Sequence, residues 1–195
     1  MNEQPRVSLM NLPNALTVLR LILVPVFLLA LFAGGGHQPG YRWLAWAIFA
    51  VAAITDRFDG HIARKRGQVT DFGKIADPMA DKALTGSALV GLSMLGNLSW
   101  WVTIVVLVRE IGITLLRFAV IRYGVIAASP GGKAKTLVQV LAIGLYVLPL
   151  NSSLHWIAVG FMIAAVALTV ATGADYLVRA AALVAKSKNP TPPRS

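Results

Sequence analysis

Two stretches of this chain go without a formal charge for longer than a water-soluble fold tolerates. Residues 83–108 hold 26 consecutive positions, and residues 136–174 hold 39, with no Asp, Glu, Lys or Arg. A run of about 18 apolar residues already spans the hydrocarbon of a bilayer as a helix. The rest of the chain follows suit: 195 residues, 56% hydrophobic and 13% charged, against about 25% charged in an average soluble domain. A net charge of +10 would by itself suggest nucleic acid. Here the basic residues punctuate apolar runs instead of forming one patch. A disordered chain, a cytosolic globule and a nucleic-acid-binding domain are excluded, and nucleic acid is no expected partner. The chain has no cysteine, which removes disulfides and thiolate metal sites.

Six apolar segments follow: Leu16–Ala33, Tyr41–Arg64, Phe72–Leu95, Trp100–Arg122, Lys135–Leu150 and Leu154–Leu183. Turn chemistry separates them, at Gly34-Gly35-Gly36, Gly67, Gly96-Asn97, Ser129-Pro130-Gly131-Gly132 and Asn151-Ser152-Ser153. Long continuous runs, without two-residue alternation, predict helices and exclude a β-barrel. The expected fold is all-α: an integral membrane bundle of six transmembrane helices with a short N-terminal interfacial segment. One domain covers 1–185, and a basic, disordered tail covers 186–195. Arg20 followed by Leu21–Ala33 has the form of a signal peptide. Five further spans argue that it is retained as the first helix.

Basic residues orient the bundle. Arg64, Lys65, Arg66 and Lys74 fall between segments two and three, Arg122, Lys133 and Lys135 between four and five, and Arg179, Lys186, Lys188 and Arg194 at the C-terminal end. The first connection holds only Arg42, and the third and fifth hold none. Both termini are therefore expected in the cytosol, with the protein in the inner (plasma) membrane. Trp43, Trp46, Trp100, Trp101 and Trp156 form the expected aromatic belt at the opposite face.

Only eight acids occur, and five of them lie between Asp56 and Asp81. Acids inside apolar helices are costly and usually functional. Asp56 and Asp59 are spaced i, i+3, and Asp77 and Asp81 i, i+4, so each pair shares a helix face. Each pair stands about 11 residues, roughly 16 Å, from the intervening turn. An antiparallel hairpin would bring the two pairs to one depth in the cytosolic half of the bilayer. Four carboxylates there need counter-charge. Ion pairs to Arg57 or Lys82, an ion-transport pathway, or divalent metal would each supply it. An all-oxygen donor set with no thiolate favours a hard ion, Mg²⁺ or Mn²⁺. Gly60 and Gly73 allow close ligand approach or plain helix packing. Arg64 suits either a phosphate clamp or a positive-inside anchor. His61 turns away from the Asp56/Asp59 face and is read as structural.

The spacing Asp56-x2-Asp59-Gly60-x2-Ala63-Arg64-x8-Gly73-x3-Asp77-x3-Asp81 resembles the signature of the CDP-alcohol phosphatidyltransferase family at every fixed position. The flanks Asn11-Leu12-Pro13-Asn14-x-Leu16-Thr17-x2-Arg20, Asp77-Pro78-x-Ala80-Asp81-Lys82, Arg109-Glu110-Ile111 and Gly132-Lys133-x-Lys135-Thr136 are most like the bacterial branch that takes glycerol 3-phosphate. The resemblance implies a homodimer in membrane lipid, with a cytosol-facing site for two Mg²⁺ ions, Mn²⁺ being possible, on Asp56, Asp59, Asp77 and Asp81. It implies that Asp81 is the general base, and that Asn14, Thr17, Gly60, Arg64 and Thr70 contact CDP-diacylglycerol. The implied reaction transfers the phosphatidyl group to glycerol 3-phosphate and releases CMP. The acceptor carries its own phosphate, so a second cationic site is expected from Arg109, Arg117, Lys133 and Lys135. Glu110 as a neutralising partner, and a surface role for the lysines, are the competing readings. An inositol-phosphate acceptor is the nearest alternative, and a divalent-cation transporter is one of a different class.

Overall fold

The computed structural model of the chain describes residues 12–66, 71–121 and 130–188, with side chains at 15–55, 79–80, 82–121 and 131–185. The described residues form helices and no strand: α1 (Leu12–Phe32), a short 3-10 turn (Ala33–Gly36), α2 (Pro39–Arg66), α3 (Asp71–Met94), α4 (Trp100–Val120), α5 (Pro130–Val147) and α6 (Ser152–Lys188). Each apolar segment of the sequence corresponds to one helix, but several ends differ. Helix α5 starts at Pro130, so Pro130–Gly132 form its first turn and do not break the chain. Proline at the head of a helix gives up only an N–H that has no intrahelical acceptor, and its φ is already helical. Helix α6 continues to Lys188, three residues beyond the expected end of the domain; residues 189–195 lie outside the described ones. Helix α1 is described from Leu12, which places Asn14 inside the helix.

The core is assembled around α1, which packs against α2 and α3, while α6 packs against α5 and α4. Phe27, Leu31, Phe49, Leu84, Leu89, Leu92, Ile143 and Val147 are almost fully enclosed. The Phe27 and Phe49 rings meet at 5.8 Å. Gly91 lets α3 lie close to α1: a Cβ there would come within 2.8 Å of Leu31, so the absent side chain sets the spacing between these helices.

The outward surface is apolar. Leu29, Ile54, Val108, Leu115, Phe118, Ile163 and Val178 are all exposed, while Thr17, Arg20, Arg42, Thr85, Ser93, Thr103, Lys135, Gln139 and Thr169 are buried. By length and composition, two stretches are apolar enough to cross a membrane, Ala15–Gly36 and Ser152–Ala185. Helix α4 is 21 residues long but carries Arg109 and Glu110 at its middle and Arg117 in its last turn.

Arg42, expected in the first connection, lies in the first turn of α2 and is buried. Its guanidinium donates to the carbonyls of Val147 (2.8 Å), Tyr146 (2.6 Å) and Gly36 (3.2 Å) and to Asn97 Oδ1 (2.6 Å). One side chain thereby ties together the three connections at this end and satisfies carbonyls that helix termini leave open. Trp43, Trp100, Trp101 and Trp156 are exposed at the same end, on the first turns of α2, α4 and α6.

Candidate functional site

The opposite end carries the Asp-rich window. Helix α2 bears Asp56 and Asp59, and α3 bears Asp77 and Asp81. The side chains of all four lie outside the described residues, as do those of Asn14 and Arg64 and the surroundings of Gly60, and Thr70 lies outside them altogether. The backbone nonetheless fixes their level. Helix α1 runs antiparallel to α2 through the Phe27–Phe49 contact, so Arg20, seven residues before Phe27, is level with Asp56, seven after Phe49. It runs parallel to α3 through the seat of Gly91 among Leu28, Leu31 and Phe32. The same count puts Arg20 level with Ala80 and Asp81. By the same arithmetic Thr17 is level with Asp59 and, within a turn, with Asp77. The four aspartate positions thus share one depth, and α1 presents two wholly buried residues there, Thr17 and Arg20. The donor set fits a hard divalent ion: carboxylates one turn apart on each of two helices at one level, with no thiolate in the chain. Among the residues whose side chains are described, no group of three or more His, Cys, Asp or Glu could hold a metal.

A second polar cluster adjoins this level. Lys82, next to Asp81, donates to Thr114 Oγ1 (2.5 Å) and to the Glu110 carbonyl (3.0 Å), and lies 3.5 Å from Glu110 Oε2. Arg109 pairs with Glu110 Oε1 at 3.0 Å and donates to Thr172 Oγ1 at 2.8 Å. Lys135, nearly fully buried, also pairs with Glu110 Oε1. One carboxylate therefore faces three cations, from α3, α4 and α5. Lys135 is buried and the other three are partly buried. Nearby, Arg109 Nε, Gln139 Oε1, Thr169 Oγ1 and Tyr176 Oη are buried with no hydrogen-bond partner among the described residues. Gln139 is one turn from Lys135, and Thr169 one turn from Thr172, so these open groups lie along the same polar seam.

Of the four cations expected to hold an acceptor phosphate, the structure gathers two, Arg109 and Lys135. Arg117 is exposed with its guanidinium over the Tyr176 ring, 5.8 Å from the centroid. Lys133 points outward. Arg179 pairs with Asp175 at 3.0 Å on the surface. Glu110 as a neutralising partner is borne out by its pair with Arg109; sequence reasoning missed that Lys82 and Lys135 share the same carboxylate. The available signal was the cost of placing any carboxylate in so apolar a helix. The hollow of about 270 Å³ lined by His37, Arg42, Asn97, Tyr146 and His155 lies at the far end and takes no part.

Residues 10–171 match the family model described as CDP-alcohol phosphatidyltransferase. A probable phosphatidylglycerophosphate synthase of Mycobacterium tuberculosis is 63% identical over 175 residues, covering 90% of this chain and 84% of the relative. A CDP-diacylglycerol–glycerol-3-phosphate 3-phosphatidyltransferase of Bacillus subtilis is 38% identical over 85% of this chain and 93% of its own length. One of the same name from Rickettsia bellii is 37% identical over 85% of this chain and 93% of its own length.

Proposed function

Because the chain belongs to the CDP-alcohol phosphatidyltransferase family, we infer that it transfers the phosphatidyl group of CDP-diacylglycerol to glycerol 3-phosphate. The products are phosphatidylglycerophosphate and CMP, a step of phospholipid biosynthesis. The observation that carries this reading is the 63% identity over 90% of the chain with a probable phosphatidylglycerophosphate synthase.

All six helices cross the inner membrane in this reading, with both termini and the aspartates on the cytosolic side, and the protein works as a homodimer. Support comes from the apolar outward surface, the exposed tryptophans at one end and the basic connections at the other. Asp56, Asp59, Asp77 and Asp81 would hold two Mg²⁺ or Mn²⁺ ions, which when bound neutralise charge on the diphosphate and the departing CMP. Gly60, Arg64 and Thr70, with Asn14 and Thr17 of α1, receive the cytidine diphosphate while the acyl chains stay in the bilayer. Arg109 and Lys135, held by Glu110 beside Lys82, receive the acceptor phosphate. The convergence of three cations and the buried Arg109 Nε, Gln139 Oε1 and Thr169 Oγ1, without a hydrogen-bond partner among the described residues, support an anionic, hydroxylated guest there. Asp81 takes the proton of the primary hydroxyl. That oxygen bonds to the lipid-side phosphorus as the bond to the CMP oxygen breaks.

Purified protein given Mg²⁺, CDP-diacylglycerol and separate acceptors tests this directly. Glycerol 3-phosphate should release CMP and form phosphatidylglycerophosphate, while glycerol and inositol phosphate should not. EDTA, or Asn in place of Asp56, Asp59 or Asp77, should stop CMP release in a protein that remains folded. A preference for inositol phosphate would overturn the acceptor, and full activity in EDTA would overturn the metal.

A further inference from the structure

Within Ala15–Gly36, one of the two most apolar stretches of the chain at a mean hydropathy of 2.6, a single residue is charged: Arg20. It is 0% exposed, as is Thr17 one turn earlier, whereas Val18, Leu19, Leu21 and Ile22 around them are 40–56% exposed. Helix α1 thus turns its polar pair inward, toward α2 and α3, and gives its apolar residues to the outside. A guanidinium is always charged, and burying it in a low-dielectric setting without compensation is prohibitive. Neither Arg20 nor Thr17 stands without a partner. The helix registers set by Phe27–Phe49 and by Gly91 put Arg20 at the depth of Asp56 and of Ala80–Asp81. A fixed cation and four acidic positions therefore occupy one level of three mutually packed helices.

We propose that Arg20 is a positioning residue of the aspartate site: its guanidinium is the resident counter-charge for the four acidic positions that α2 and α3 bring to its level. Three facts single it out: complete burial, sole charge on its span and register with both aspartate pairs. Arg20 is the cation that α1 supplies to the window. It limits how much further charge the site draws in, so removing it leaves the folded apo protein with an uncompensated acidic cluster that binds divalent ions more avidly.

The proposal rests on the metal reading of the aspartates, and thermal melting of the full chain in detergent separates the two. Wild type, Arg20→Met, Arg20→Lys and, as a distant packing control, Leu31→Ala are melted in EDTA and across a Mg²⁺ titration. Arg20→Met should melt lower in EDTA, regain much of the loss in Mg²⁺, and reach half of its metal-induced rise at about tenfold lower Mg²⁺ than wild type. Arg20→Lys keeps the charge and should stay near wild type in its Mg²⁺ midpoint. It also keeps the test open should Arg20→Met not fold, because a midpoint for Arg20→Lys shifted as far as tenfold would overturn the charge argument. Leu31→Ala should lose the same amount in EDTA and in Mg²⁺. If Arg20→Met behaves like Leu31→Ala, or its metal-induced rise shrinks, Arg20 is a packing residue and the proposal fails. A wild type whose melting ignores Mg²⁺ would instead overturn the metal reading beneath it.

Discussion

Glu110 holds Lys82, Arg109 and Lys135 at once, and its worth is as much in direction as in charge. Each of the three cations has a long, mobile side chain, and the shared carboxylate turns them toward one spot. Glu110→Gln keeps the size but removes the anion shared by one buried cation, Lys135, and two partly buried ones, Lys82 and Arg109. It should cost on the order of 3 kcal/mol of stability and raise KM for glycerol 3-phosphate tenfold or more, with KM for CDP-diacylglycerol little changed. Lys135→Ala removes one charge-assisted contact, worth about 1.5–3 kcal/mol, and should raise the same KM by roughly tenfold to a hundredfold. Titrating each substrate separately reads both effects. Variants that weaken CDP-diacylglycerol use and spare glycerol 3-phosphate would move the acceptor pocket elsewhere.

At the scale of elements, two contacts hold the helices in register. Gly91 brings α3 against Leu28, Leu31 and Phe32 of α1, the same packing that sets Arg20 level with Asp81. Gly91→Leu overfills that seat and should cost about 1–3 kcal/mol. It should also depress turnover, because a shift of α1 moves one wall of the aspartate site. Arg42 works differently. It closes three carbonyls and Asn97 at the far end, so Arg42→Met leaves several buried acceptors open and should cost about 3 kcal/mol or more. CMP release per folded molecule should hardly change below the melting range. Thermal melts in detergent alongside CMP release distinguish the two variants; a large loss of turnover in Arg42→Met at full folding would tie the far end to the chemistry.

For the whole molecule, charge asymmetry and the tryptophan belt make a directional statement. The wild type has no cysteine, so single introduced thiols report orientation cleanly. Ser99 and Ser153 are exposed at the tryptophan end, and Lys133 is exposed at the aspartate end. An impermeant maleimide added to intact cells should label Ser99→Cys and Ser153→Cys, and should label Lys133→Cys only after the cells are opened. The reverse pattern would put the aspartates on the outer face and contradict the cytosolic site.

The sequence alone determined the number, type and approximate limits of the helices, because apolar run length and turn residues are local properties of the chain. It also made the aspartate window legible, since i, i+3 and i, i+4 spacing is fixed by helix geometry itself. Its errors were local too: Pro130 opens α5 where a break was expected, and Arg42 was taken for a loop cation. The tertiary structure decided which helices touch. No local signal says that α1 lies against both α2 and α3, yet that packing is what sets Arg20 and Thr17 at the level of all four aspartates. Nor does any say that Lys82, Arg109 and Lys135, from three helices, share one carboxylate while Lys133, two positions from Lys135, faces outward. Spacing along one helix fixes a face; which partner that face meets depends on contacts between residues far apart in the chain.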